Sequence, residues 1–259
     1  MKYFKRIFFT IAMICLLSCR QQVNAFHLHP PKSKVLVLTE RGGQHEGFVV
    51  EALAWLKDFS VKHNLELRII GYPREIECES LAIYRLFIQL NYPPYNWTAK
   101  TMTAFEKYID KGQGAWIGFH HATLLGEFDG YPLWSWFSDF MGGIRFENYI
   151  AKKATANVCV EMTNYPVMRG VPNVFCIAND EWYTFNKNPR AIVNVLANVD
   201  ESTYQPPSDI KMGDHPVIWS NEKKKAKNVY FLMGHDAGLL QNMVFIKMFG
   251  NAIEWALKK

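Results

Sequence analysis

The chain has 259 residues, of which 49% are hydrophobic and 15% aromatic, so it can bury a sizeable core and disorder is not expected. Its 29 basic and 24 acidic residues give a formal charge of +5, but three basic residues lie within the first six positions, and the one tight basic cluster, Lys223–Lys225, has no interleaved aromatic residue. Nucleic-acid binding is therefore not supported. Three cysteines follow position 19, too widely spaced for a disulfide framework or a Cys-x-x-Cys metal site, and one bridge among Cys78, Cys159 and Cys176 is left open.

The first residues follow the pattern of an exported lipoprotein. A basic start precedes an apolar run from Ile7 to Leu17, which is shorter than the roughly 20 residues of a membrane-spanning helix. Ser18 places a small residue directly before Cys19, which suits cleavage by a lipoprotein peptidase and lipidation of the cysteine. An ordinary secretory signal with an incidental cysteine is the alternative. The predicted organisation is a signal peptide at residues 1–18, a lipidated tether at 19–33 and one folded domain at 34–259.

A lipid on Cys19 would hold the domain at a membrane surface outside the cytoplasm, because two or three acyl chains form a stable anchor. Gln21 and Gln22 directly after the cysteine give no acidic export signal, so a periplasmic location is favoured over the cell surface. ATP and nicotinamide are then not expected as partners. The sequence agrees, since it contains neither a Walker loop nor a Gly-x-Gly-x-x-Gly motif.

Strands and helices alternate along the folded domain. Lys34–Thr39 is a continuous apolar run that predicts a buried parallel strand, and apolar residues at a helical period predict a helix over residues 46–63. Further strands are predicted at 65–71, 86–90, 114–119, 156–162, 174–178, 191–199, 217–219 and 228–233, and further helices at 101–111, 134–141 and 242–258. This alternation predicts an α/β fold with a mostly parallel sheet covered by helices on both faces.

In folds of this class, ligands bind beside the carboxyl ends of the strands. The loops that leave the predicted strand ends carry eight side chains that can transfer protons or bind a ligand, namely His45, Glu46, His120, His121, Asp180, Glu181, His235 and Asp236. His215 differs from these because it precedes a predicted strand. We therefore expect a site to form from these loops.

Gly118–Thr123 has the form of a nucleophile elbow, a sharp strand-to-helix turn that pushes one side chain into a cleft. His120 would stand at the tip of this turn, and His121 follows it. A histidine there cannot act as a serine or cysteine nucleophile, but it can transfer protons near neutral pH or bind a metal. A pair of buried histidines satisfied by backbone groups is the alternative.

Two later segments offer partners for the elbow. Asp180 and Glu181 are neighbouring carboxylates that can divide acid and base roles, and the adjacent Trp182 and Tyr183 suit recognition of a sugar. The other segment is Gly234–Asp236, which follows the predicted strand at 228–233. Its glycine lets the backbone approach a ligand, and His235 would act as a base. A solvated turn or a loop cap is the alternative for each segment.

The remaining candidates are His45, in a Gly-rich loop before a helix, and His215, which lies near Trp219. Five histidines from four segments could converge on a divalent metal such as zinc, with Asp180 or Glu181 completing the site. No ligand pair has the i, i+4 spacing of a helical metal motif, so the metal is left undecided. No other cofactor is indicated.

Six motifs in one order resemble the ThuA-like family, named for trehalose utilisation, and in particular its exported Bacteroidetes-type branch. They are Gly114–Thr123, Gly126–Gly130, Phe140–Gly143, Asp180–Tyr183, Lys211–Trp219 and Met233–His235. The resemblance spans about residues 34–258. It implies the flavodoxin-like α/β/α sandwich of class I glutamine amidotransferases, in which the elbow holds a cysteine. This chain has a histidine at that position, which excludes amidotransferase chemistry through a thiolate.

The resemblance also implies a role in carbohydrate use. We favour an enzyme that acts on a disaccharide, a glycoside or a 3-keto-sugar as a hydrolase, lyase or isomerase. The residues predicted to carry the acid/base chemistry are His120, His235, His121, Asp180 and Glu181, and those predicted to bind the substrate are His45, Tyr183, His215, Trp219 and Asp236. A noncatalytic carbohydrate-binding or subunit-interaction module is the alternative, and a homo-oligomer is left open.

Overall fold

The computed structural model describes residues 32–150 and 152–258. The predicted signal peptide, the predicted lipidation site Cys19 and nearly all of the predicted tether lie outside these residues. Within them, none of the helices combines the length and the hydropathy that crossing a bilayer requires. Cys78, Cys159 and Cys176 are free thiols, so the bridge that the sequence left open is not formed among them.

The described residues form eleven strands and four α-helices. The strands are β1 (Ser33–Thr39), β2 (Leu65–Ile70), β3 (Leu86–Leu90), β4 (Ala115–Phe119), β5 (Phe146–Tyr149), β6 (Ala154–Val160), β7 (Val174–Asp180), β8 (Tyr183–Phe185), β9 (Asn194–Gln205), β10 (Pro216–Ser220) and β11 (Asn228–Phe231). The helices are α1 (Glu46–Lys62), α2 (Ala99–Asp110), α3 (Ser135–Phe140) and α4 (Met243–Leu257). A 3-10 turn at Leu81–Ile83 precedes β3.

A nine-stranded sheet in the order β2-β1-β3-β4-β11-β10-β9-β6-β7 forms the middle layer. The strands β2, β1, β3, β4 and β11 are parallel, in agreement with the mostly parallel sheet that the alternation of strands and helices predicted. The other four are each antiparallel to their neighbours. β5 and β8 form a separate two-stranded sheet.

Helices cover both faces of the large sheet. Trp116 and Phe119 of β4 point to opposite faces because side chains alternate along a strand. Phe119 packs against Phe48 of α1 and Phe245 of α4, with ring centroids 5.7 and 6.1 Å away. Trp116 packs against Phe140 of α3, at 5.1 Å. The predicted flavodoxin-like α/β/α sandwich is therefore confirmed.

The antiparallel half of the sheet is a feature that the apolar runs did not predict. Parallel neighbours need a crossover connection of about a dozen residues or more. Only residues 221–227 connect β10 to β11, so these two strands can pair only as a hairpin. β9 is also longer than predicted and extends to Gln205.

This topology gathers several strand ends at one edge of the sheet. Four successive antiparallel pairings lead from β11 through β10, β9 and β6 to β7, so β7 again runs in the direction of β4 and β11. The carboxyl ends of β1, β4, β7 and β11 therefore lie at the same edge. This edge is the ligand-binding side expected for the fold.

Candidate functional site

Four histidines converge at this edge. His45 follows β1 and precedes α1, His120 and His121 follow β4, and His235 follows β11. The ring centroid of His45 lies 4.0 Å from that of His121, 4.5 Å from that of His235 and 5.0 Å from that of His120. His45 is thus the centre of the group, although its own sequence context is only a Gly-rich loop.

His120 occupies a strained turn. Its φ of +40° is unusual for a residue with a side chain, and it is the conformation that the elbow pattern predicted. Its carbonyl accepts hydrogen bonds from the hydroxyls of Thr123, at 3.1 Å, and Tyr230, at 2.9 Å, which hold the turn. Gly234 lies so close to this turn that a Cβ added to the glycine would be 2.9 Å from the Cβ of His120. The strain is therefore supported from two neighbouring segments.

The ring of His120 is completely buried, with both nitrogens close to acceptors. Nδ1 lies 2.8 Å from the carbonyl oxygen of Leu232, and Nε2 lies 3.2 Å from Oε2 of Glu181. Burial lowers the pKa of His120 to about 3, and the attraction of Glu181 only partly opposes this. A fully enclosed, neutral imidazole is poorly placed to exchange protons with a substrate.

Glu181 connects His120 to His235. Its Oε2 atom lies 3.5 Å from Nδ1 of His235 as well as close to His120. Burial by itself raises the pKa of Glu181, but its interactions with His120 and His235 outweigh this effect and hold the pKa well below the usual range. Glu181 is therefore an ionised carboxylate between two histidines.

Asp180 acts on the backbone of the site. Its carboxylate is completely buried and accepts hydrogen bonds from the backbone N–H groups of Glu181 at 2.9 Å, His235 at 3.0 Å and Gly234 at 3.2 Å. Burial raises its pKa to about 6, although these bonds oppose the rise. Asp180 thus fixes the ends of β7 and β11 to each other and is a positioning residue.

Glu40 is a site residue that the sequence reasoning missed. Its Oε2 atom lies 3.1 Å from Nδ1 of His121 and 3.3 Å from Nδ1 of His45. Burial raises the pKa of Glu40, but bonding to His121 and His45 outweighs this and lowers it to about 2. Glu40 is the first residue after β1, so the rule that selects strand ends could have found it.

Tyr183 and His215 support the cluster from one side. The Tyr183 ring lies 4.2 Å from that of His120 and is buried. His215 is also buried, with Nε2 2.8 Å from the Tyr183 carbonyl oxygen and Nδ1 2.8 Å from Oε1 of Glu201. His215 therefore holds the Tyr183 backbone in place, and its contacts are those of a structural residue rather than a substrate-binding one.

Trp219 and Asp236 lie apart from the cluster. Trp219 is only 1% exposed, and its ring packs 4.4 Å from that of Tyr230, so it belongs to the core instead of offering a face to a sugar. Asp236 accepts hydrogen bonds from Lys153 and Asn179, each at 2.9 Å, and caps a 3-10 turn through the N–H of Gly238. Its contacts shape the loop after His235.

An aromatic group beside the cluster was also missed. Tyr95, Phe128 and Tyr131 lie in the loops that follow β3 and β4, and the Tyr95 ring is 5.5 Å from Phe128 and 6.3 Å from Tyr131. Burial raises the pKa of Tyr95, and the nearby charges of Asp129 and Glu40 add to the rise. Tyr95 therefore lies within electrostatic reach of Glu40, and its neighbour Tyr131 is 41% exposed.

The site thus combines two kinds of chemistry. His121 and Glu40 form a histidine–carboxylate pair of the kind that transfers protons. The ligand atoms of His45, His120, Glu181 and His235 lie within 4.8 Å of one another, which is a spacing that could hold a metal ion. Two large surface grooves, of about 490 and 570 Å³, lie elsewhere and are lined by residues around Trp255.

Comparison with known proteins agrees with the motifs. The family model described as "ThuA: Trehalose utilisation" matches residues 34–256. The chain belongs to the ThuA family. Its function is therefore related to carbohydrate use. No curated protein matches the chain.

Among solved structures, a ThuA-like protein from Bacteroides uniformis is 27% identical, with a TM-score of 0.79, and the match covers 91% of this chain and 96% of that one. A ThuA-like protein from Parabacteroides merdae is 16% identical, with a TM-score of 0.67 and coverage of 88% and 90%. A beta-galactosidase from Bacillus circulans is 18% identical, with a TM-score of 0.56, and the match covers 86% of this chain but 31% of that one. The last two likenesses concern the fold alone.

Proposed function

We propose that this ThuA-family protein is an enzyme that acts on a disaccharide, a glycoside or a 3-keto-sugar by acid/base chemistry, without a cysteine nucleophile. The observation that carries the proposal is the contact of His121 with Glu40 at the ligand-binding edge of the sheet. A carboxylate that holds one imidazole nitrogen fixes the tautomer and leaves the other nitrogen as a base.

His121 is the proton acceptor in this proposal, in place of His120. Both nitrogens of His120 face acceptors inside the protein, whereas the side chain of His121 keeps 13% of its surface exposed. A proton on Nδ1, attracted by the carboxylate of Glu40 3.1 Å away, would leave the lone pair on Nε2 of His121. A 3-keto group acidifies the C–H bond next to it, so a base at this position could start an elimination or an isomerisation.

Tyr131 is the proposed stacking residue, because Trp219 is enclosed in the core. Its ring lies 6.3 Å from that of Tyr95 and is partly open to solvent. An exposed tyrosine face suits the apolar face of a pyranose, and its hydroxyl can hydrogen-bond a sugar hydroxyl. The substrate would then lie between Tyr131 and His121.

The proposal also includes location. Lipidation at Cys19 would keep the enzyme on a membrane, with the periplasm favoured, where imported glycans pass. Metabolic labelling with a radioactive fatty acid would test this, since a Cys19→Ser variant should lose the label. Equal labelling of both chains would contradict the anchor.

Turnover is tested with the purified protein and a panel of disaccharides, glycosides and their 3-keto derivatives, followed by NMR. We expect His121→Ala to lower kcat by about 10²–10⁴, with sugar binding retained, and Glu40→Gln to lower it less. His63→Ala is the matched control, because His63 is an exposed histidine outside the cluster. Tight glycan binding with no turnover of any compound by the wild type would instead support the noncatalytic module.

A further inference from the structure

Three imidazoles and one carboxylate in the site surround a common point. They belong to His45, His120, His235 and Glu181, which follow four different strands. We propose that these four side chains bind one divalent transition-metal ion. This inference deepens the proposed function, because the ion would bind a sugar oxygen beside the His121–Glu40 pair, but it can be tested without any sugar.

The spacing of the ligand atoms is the first argument. Glu181 Oε2 lies 3.2 Å from His120 Nε2 and 3.5 Å from His235 Nδ1. A tetrahedral zinc ion with bonds of about 2.0–2.1 Å places neighbouring ligand atoms about 3.3 Å apart. The two measured edges therefore match a metal-bound arrangement without movement of the backbone.

The tautomer of His120 also favours a metal ion. The Leu232 carbonyl can only accept, so the hydrogen of the neutral imidazole lies on Nδ1, 2.8 Å away. Nε2 then turns a lone pair toward the carboxylate of Glu181. Two facing lone pairs repel unless a positive charge lies between them. A metal cation between Nε2 and the carboxylate would remove this repulsion.

Unpaired nitrogens are the third argument. His45 Nε2 and His235 Nδ1 are buried and lack hydrogen-bond partners among the described residues. Burying an unpaired polar atom destabilises a protein, and native sites that do so usually bind something. Both atoms belong to the same four-residue group, so one ion would satisfy both.

The surrounding groups are the fourth argument. Histidines that bind metals usually donate their second N–H to a carbonyl or a carboxylate, which orients the ring. His120 has Leu232 in this role, and His45 has Glu40, 3.3 Å from its Nδ1. Asp180 holds the backbone of His235 at 3.0 Å. The ligands are thus oriented before any ion arrives.

The ligand types select the class of metal. Imidazole nitrogens suit zinc, iron, nickel and copper, whereas calcium and magnesium prefer oxygen ligands throughout. Zinc is therefore the first ion to test.

The test is metal binding by the full chain. Protein stripped with a chelator and dialysed is titrated with Zn²⁺ alone, and bound metal is measured by mass spectrometry. We expect about one equivalent in the wild type and at least 10-fold weaker binding in His45→Ala, His235→Ala and Glu181→Gln. His63→Ala should bind as the wild type does, and circular dichroism checks that each variant is folded.

A competing assignment uses the second group, Glu40, His45 and His121, whose ligand atoms also lie within 4.8 Å of one another. Retained binding in His121→Ala supports the proposed site. Loss in His121→Ala with retention in Glu181→Gln and His235→Ala overturns it, as does the absence of stoichiometric binding in the wild type. Metal binding without sugar turnover would refute the proposed function alone. Sugar turnover by a wild-type protein that binds no Zn²⁺ in the titration would refute the metal site alone.

Discussion

Replacing His215 by alanine tests whether this residue is structural, as its contacts indicate. The ring is buried between the Tyr183 carbonyl and the Glu201 carboxylate, each 2.8 Å from one nitrogen. Leaving the buried Glu201 carboxylate without its histidine partner costs about 3–5 kcal/mol, and the lost bond to Tyr183 adds about 1 kcal/mol. In the variant, Glu201 would still accept hydrogen bonds from the backbone N–H groups of Met212 and Gly213, which limits the loss. We therefore expect the free energy of unfolding to fall by about 4 kcal/mol.

Urea unfolding followed by tryptophan fluorescence measures this change. In a domain of this size each kcal/mol corresponds to about 2–4 °C, so Tm should fall by roughly 8–16 °C. The exposed His63→Ala control should stay within about 0.5 kcal/mol of the wild type. Wild-type stability of His215→Ala together with weaker sugar binding would refute the structural role and return His215 to the substrate-binding residues.

Three further predictions concern backbone packing, pH and substrate contact. Gly234→Ala should destabilise the fold by about 1–3 kcal/mol in urea unfolding, because the new Cβ would lie 2.9 Å from the Cβ of His120. Gly47→Ala is the matched control, because its added Cβ would make only an ordinary contact, 3.5 Å from the Cβ of Ala237. Burial raises the pKa of Glu201, but bonding to His215 and two backbone N–H groups lowers it overall. The ionised Glu201 side chain should thus stabilise the fold above the unfolded pKa of about 4.3, and this stabilisation should be lost as the pH falls through the folded pKa. The difference in free energy of unfolding between the wild type and Glu201→Gln should therefore narrow between pH 6 and pH 3. A difference that stays constant over this range would contradict the prediction. Tyr131→Ala should raise KM with little change in kcat, and a loss confined to kcat would rule out a stacking role.

Much of the site could be predicted because strand ends are local features of the sequence. Each of β1, β4, β7 and β11 is a short apolar run that ends in a polar loop, and Gly118 marks the start of the turn at His120. The carboxyl-end rule then selected His45, His120, Glu181 and His235 without knowledge of their distances. Glu40 satisfied the same rule but was not selected, because a lone glutamate after a strand resembles a solvated residue.

For three predicted site residues, His215, Trp219 and Asp236, the structure shows contacts that the sequence did not predict, because these contacts come from neighbours in space. His215 and Trp219 have the residue types of a sugar site, yet Trp219 packs on Tyr230 inside the sheet and His215 pairs with Glu201. Asp236 follows a site histidine directly but turns to Lys153. Segments that are distant in the chain determine which groups surround a strand residue and which charges lie beside it.

The sequence by itself determined the family, the α/β class and the set of loops that form the site, because periodicity, glycine turns and ordered motifs are written locally. The tertiary structure decided the direction of the last strands, which depends on loop length and pairing partners. It also decided the roles within the histidine group. His120 is enclosed by Leu232 and Glu181, His121 meets Glu40, and Asp180 holds the backbone, since these roles follow from burial and from distances between residues up to 112 positions apart.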